Sequence, residues 1–81
     1  MGMLVHGRKV RESATEVAYS FGFEPDVPDG VLVIPVDDVQ AWYVEGSDAH
    51  PKPVGARRIM AKAYRLRCAQ GSWPDDASFH S

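Results

Sequence analysis

Apolar residues in the last third of the chain recur at helical spacing. Across Ala56–Gln70 (ARRIMAKAYRLRCAQ), Ala56, Ile59, Met60, Ala63 and Leu66 fall on one side, the stripe expected of a helix laid on a core. Arg58, Lys62 and Arg65 fall together on the other side. Gly71 can adopt a left-handed stop, and Pro74 forbids further helix. Val31–Val36 (VLVIPV) has a different pattern, an unbroken β-branched run. It predicts the sheet's central strand, buried on both faces and ending or bulging at Pro35, where the ladder loses a donor.

The remaining elements are shorter. Met3–Ser13 (MLVHGRKVRES) reads as a strand with Leu4, Val5 and Val10 as its apolar content and Gly7 as a weak point. Ser13 and Glu16 have capping-box spacing, which predicts a short helix over 14–21 closed by Gly22. Val17, Tyr19, Phe21 and Phe23 alternate strictly, the competing pattern of a strand. Glu24–Gly30 (EPDVPDG) is turn chemistry. Asp37 or Asp38 can cap a helix carrying Val39, Trp42 and Tyr43 at i, i+3 and i+4, which predicts a second short helix over 38–45. Residues 47–55 connect it to the major helix. The expected fold is α+β: a small, mainly antiparallel sheet covered by one long C-terminal helix, with short helices elsewhere. Residues 1–71 form the single domain, and a tail over 72–81 packs back at Trp73.

Composition narrows the class. With 81 residues, 44% of them hydrophobic, the chain can build one thin core. A single Cys excludes an internal disulfide and a Cys-based zinc cage. No apolar run approaches the length of a membrane span, and no basic-then-apolar leader is present, so a soluble, cytoplasmic protein is expected. The net charge of −2 hides a segregation: residues 1–51 hold nine acids and three bases, residues 52–81 six bases and two acids.

Chemistry is harder to find. Glu24, Asp26, Asp29, Asp37, Asp38, Glu45 and Asp48 fall in a stretch without Lys or Arg, at a spacing that fits no calcium loop. Turn and cap duty explains several of them. Alternatively they are counter-charges for the helix cations, within one molecule or between two. His6, His50 and His80 lie far apart and have no second ligand at metal-binding spacing. Cys68 lacks a base or a helix N-terminus to activate it and reads as filler. Asp75 and Asp76 are neighbours on a terminal segment, poorly held for acid and base work. No phosphate loop or nucleophile elbow occurs. No cofactor, metal or catalytic residue is therefore expected, and a small enzyme ranks last among the functions considered.

One local likeness bears on nucleic acid. Thr15, Glu16, Val17 and Ala18 with Phe21, Gly22 and Phe23, followed later by Ile34, Pro35 and Asp38–Trp42, resemble the first helix and the closing strand and helix of small excisionase-type helix-turn-helix proteins. The resemblance covers about a third of the chain. Where such proteins carry a basic recognition helix, this chain has EPDVPDG, whose three acids and two prolines cannot enter a major groove.

The expected function is a non-catalytic interaction or regulatory module. Its partner-binding residues are Arg57, Arg58, Lys62 and Arg65, and its partner is an acidic protein or a second copy of itself, as in a homodimer. Nucleic-acid binding through the same helix is the alternative.

Overall fold

Four strands form an antiparallel meander: β1 (Leu4–Glu12), β2 (Glu16–Gly22), β3 (Gly30–Pro35) and β4 (Tyr43–Val44). The helix α1 (Val54–Gln70) then crosses one face of the sheet, and β5 (Phe79–His80) pairs with β1 at the far edge. The strand order is β4-β3-β2-β1-β5, antiparallel throughout. This computed structural model describes residues 4–24, 26–48 and 50–80. Met3, Pro25, Ala49 and Ser81, which enter the sequence reading, lie outside the described residues. The fold is a small α+β domain with one helix on one side of an antiparallel sheet, as its sequence predicts.

The helix begins two residues before the predicted Ala56 and ends where expected, with Gly71 at φ 82° donating its N–H to the Arg67 carbonyl. Ala56, Ile59 and Ala63 are fully buried. They pack on Val5, Val17, Tyr19, Phe21, Leu32 and Ile34 of the sheet. Gly7 of β1 sits beneath Ile59 and has no room for a side chain, so its absent Cβ lets the helix settle on the strand.

Residues 14–21 are not helical: 14 and 15 lie in the bend after β1 and 16–21 belong to β2, and the alternation of Val17, Tyr19 and Phe21 is what decides it. All three are buried in the core, each worth about 1.5–3 kcal/mol, against about 1 kcal/mol for a helix cap. The polar chemistry of Ser13 is used differently. Its hydroxyl oxygen accepts the N–H groups of Thr15 and Glu16, each at 3.2 Å, while its own N–H donates to the Glu16 carbonyl at 2.8 Å. These bonds tighten the β1–β2 hairpin. The strand also removes the first helix on which the excisionase-type likeness rests.

Two further expectations change. The central strand is β2 and not Val31–Val36, because β2 is paired along its length on both sides whereas β3 has only the two-residue β4 beyond it. Burial on both faces of β3 does hold: Leu32, Val33 and Ile34 are fully inaccessible. The predicted helix over 38–45 shrinks to one 3-10 turn, Val39–Ala41, because the Asp38 side chain makes no cap and Trp42 is already extended. Tyr43 and Val44 then pair with Val33 and Leu32.

Residues 72–80 fold back over β1. Trp73 is buried, as expected, and Ala77 is sealed completely. Ala77 N–H donates to the Gly7 carbonyl and Lys9 N–H to the Asp75 carbonyl, both at 2.9 Å. The Tyr19 hydroxyl, reaching up from the core, donates to the Pro74 carbonyl. Burial pushes the Tyr19 pKa well above the ordinary tyrosine value, and the charges of Glu12 and Asp75 add to it.

Among the described residues, no helix lies on the other sheet face. Register places Arg11 opposite Ala18, Ala18 opposite Val33 and Val33 opposite Tyr43. Arg11 reaches Glu16 at 3.3 Å and Glu45, beyond β4, at 3.1 Å. The Arg11–Glu45 pair therefore bridges from β1 to the end of β4 on the face where Ala18 and Val33 are fully inaccessible.

Candidate partner-binding surface

α1 holds five cations because its buried stripe is narrow. Small residues suffice at Ala56 and Ala63, Ile59 fills the Gly7 gap, and the rest of the circumference is left to water. Arg57, Arg58 and Arg65 are exposed and Lys62 is half-buried. The expected partner-binding residues Arg57, Arg58 and Arg65 are thus open to solvent, while Lys62 lies on the flank of the helix. Leu66, expected in the buried stripe, is half-exposed, because the helix is leaving the sheet by its last turn.

Electrostatically this surface is unbalanced. The helix has Pro53 at its N-cap position with no side-chain cap bond, and no acidic residue in its first turn. Arg57 and Arg58 therefore sit near the end where the helix dipole disfavours positive charge. Among the described residues, the ion pairs involve Lys9, with Glu12 at 2.7 Å and Asp75 at 3.1 Å, and Arg11, with Glu16 and Glu45. These hydrogen-bonded carboxylates raise the pKa of both cations, Glu12 ahead of Asp75 for Lys9 and Glu45 ahead of Glu16 for Arg11. None of the ion pairs reaches Arg57, Arg58, Lys62 or Arg65. The one specific contact in this set is Arg58, whose guanidinium lies 5.3 Å from the centre of the Phe79 ring on β5. The acids of residues 24–48 are thus not intramolecular counter-charges for the helix, and Glu45 serves Arg11 instead.

Elsewhere the structure joins residues that the sequence treats separately. On the helix-free face His6, Arg8, Ser20, Asp26, Asp76 and Ser78 line a polar cavity of about 230 Å³. The sequence pattern set His6 aside for want of a second ligand nearby and Asp76 as a poorly held tail acid. Alternation along β1 puts His6 and Arg8 on one face, but only the folded tail brings Asp76 opposite Arg8. Asp76 Oδ1 accepts the Ser78 N–H at 2.8 Å. Hydrogen bonds from Ser78 hold its carboxyl below the usual range, and the charges of Arg8 and His6 help. A second, more apolar groove of about 390 Å³ lies at the start of α1, between Phe21, Phe23, Val44 and Val54.

Cys68 is exposed. A hydrogen bond with Cys68 raises the pKa of its neighbour Tyr64 one turn earlier. Among the described residues, no group of three or more His, Cys, Asp or Glu is placed to hold a metal ion, and no helix is long and apolar enough to cross a membrane. Compared with family models, curated proteins and solved structures, the chain matches none of them.

Proposed function

We propose that the chain is a soluble, cytoplasmic, non-catalytic interaction module that docks an acidic protein surface on the outer face of α1. Arg58, Lys62 and Arg65 form the centre of this face, and Arg57 lies at its N-terminal end. The observation that carries this is the contrast in pairing: Lys9 and Arg11 each hold two carboxylates, while these four helix cations hold none among the described residues. Cations left without partners gain most from carboxylates brought by another molecule, which would also offset the unfavourable dipole at Arg57 and Arg58. An acidic protein patch suits the site better than a nucleic acid, because the chain as a whole is acidic, at −2, and its field opposes a long polyanion. A second copy of the chain is one possible source of such a patch, since residues 1–51 carry the acidic excess.

The test uses poly-L-glutamate as the acidic probe, with light scattering on the pure protein alongside. The triple variant R58A/K62A/R65A is expected to bind poly-L-glutamate at least about tenfold more weakly, with an unchanged circular dichroism spectrum. A dimer that dissociates in the same variant would identify the second copy as the partner. Equal affinity of variant and wild type would overturn the proposal. Retention of random duplex DNA at about 0.15 M salt would reassign the surface to nucleic acid.

A further inference from the structure

The polar cavity lies on the sheet face opposite α1 and is built from four separate stretches of chain. Arg8 is flanked by Ser20 on β2 and Asp76 in the returning tail, so the three form one row across the sheet. The next row is Gly22, His6 and, by the same register, Ser78. Gly22 has no side chain to fill its place, and the loop that follows β2 folds down into that space. A Cβ at Gly22 would stand 3.0–3.1 Å from the backbone of Val27, Pro28 and Asp29. The loop thereby brings Asp26 to the rim.

The polar groups here have spare capacity. No ion pair among the described residues involves Arg8, His6, Asp26 or Asp76. Among the described residues, Ser20 Oγ is engaged only by a long bond to the Arg8 carbonyl, 3.4 Å, and Ser78 Oγ accepts the Gly7 N–H at 3.1 Å. The cavity thus offers one guanidinium, an imidazole and two hydroxyls, faced by two carboxylates. A simple anion would meet Asp76 and Asp26, and a simple cation would meet Arg8. Only a molecule carrying both charges close together satisfies each side. The volume, about 230 Å³, falls below the roughly 300–1,000 Å³ of sites for drug-sized ligands, which restricts the guest to a small one.

We infer that this cavity is a binding site for a free α-amino acid, with the carboxylate held by Arg8 and His6 and the ammonium by Asp76 and Asp26. The site is independent of the α1 surface, and neither needs the other to operate. The experiment is a titration of isotopically labelled protein, followed by amide proton–nitrogen spectra, with each of the twenty standard L-amino acids. Acetate, methylamine and inorganic phosphate are titrated as separate controls. At least one amino acid is expected to give saturable shifts centred on the amides of His6, Arg8, Ser20 and Ser78, and to bind at least about tenfold more tightly than acetate or methylamine alone. Arg8→Ala, at an exposed side chain free of ion pairs, should abolish saturation. Asp76→Asn, which keeps an acceptor for the Ser78 N–H but loses the charge, should weaken binding by a similar factor. Absence of saturable shifts with all twenty, shifts that survive Arg8→Ala, or phosphate binding as tightly as the best amino acid would each overturn the assignment.

Discussion

Gly7 and Ile59 are in such close apposition that a Cβ on the glycine would stand 2.6 Å from Ile59 Cδ1 and 2.8 Å from Cγ2. Ile59 is fully buried and cannot swing away. Gly7→Ala is therefore expected to destabilise the protein by about 1–3 kcal/mol through overpacking. In urea unfolding, Gly7→Ala with Ile59→Val should cost less than the two single changes added together, because the valine removes the nearest methyl group. Strict additivity would show that the helix does not rest on β1 at this point.

Tyr19 joins the sheet to the tail through its bond to the Pro74 carbonyl. Tyr19→Phe should cost about 0.5–1.5 kcal/mol at neutral pH. The sign of the pH effect follows from the raised pKa in the folded state. Above pH ~10 the unfolded chain releases this proton before the folded one does, so stability is intact below that value and falls as pH rises beyond it. Lys9, whose pKa is also raised, adds a loss of the same sign, so the difference between wild type and Tyr19→Phe isolates the tyrosine. Thermal melts across pH 8–12 should show a shallower alkaline decline in the variant.

Asp76 behaves oppositely. Its carboxyl is held below the ordinary value by the Ser78 hydrogen bonds and then by Arg8 and His6, so its contribution is present above that value and is lost as acid protonates it. Asp76→Asn should flatten the acid limb of the stability curve, as read by denaturant midpoints at successive pH values. An unchanged limb would mean that the Ser78 bonds do not favour the ionised form.

The exposed start of α1 is a site for stabilisation. Pro53 offers no side-chain acceptor, and the first turn has no acid to meet Arg57. Pro53→Asp supplies both a cap and a negative charge, and should raise stability by about 1 kcal/mol. Calorimetry reads this as a higher Tm.

Trp73 fastens the returning segment. Its replacement by alanine removes a buried indole and should cost about 3–5 kcal/mol, a large part of the stability of a domain this size. Removal of residues 72–81 should go further and give a chain without cooperative unfolding by circular dichroism, because β1 would lose β5 and the core would lose Trp73 and Ala77.

Where one element's pattern had no rival, the sequence was enough. The α1 stripe and the β-branched run of β3 read directly, since helical spacing over fifteen residues and three consecutive doubly buried residues have few other uses. Residues 14–21 went the other way because a local cap competed with alternation, and burial of Val17, Tyr19 and Phe21 is a property of the whole fold, not of the hairpin. Tyr43 and Val44 were similarly taken into a helix, since nothing local announces that two residues will find β3. The exposed cations of α1 were legible from spacing alone. The polar cavity was not, because Asp76 and Arg8 are distant in sequence and meet only through the return of the tail.

That return also fixes the order in which the molecule can be completed. β1 is made early, yet the backbone groups on its outer side are answered by residues 75–80, almost the full length of the chain away. A nascent chain holding only β1 through α1 therefore carries an open strand flank and a gap where the indole belongs, and sequences of this kind depend on late, distant closure to become safe from sticking to one another.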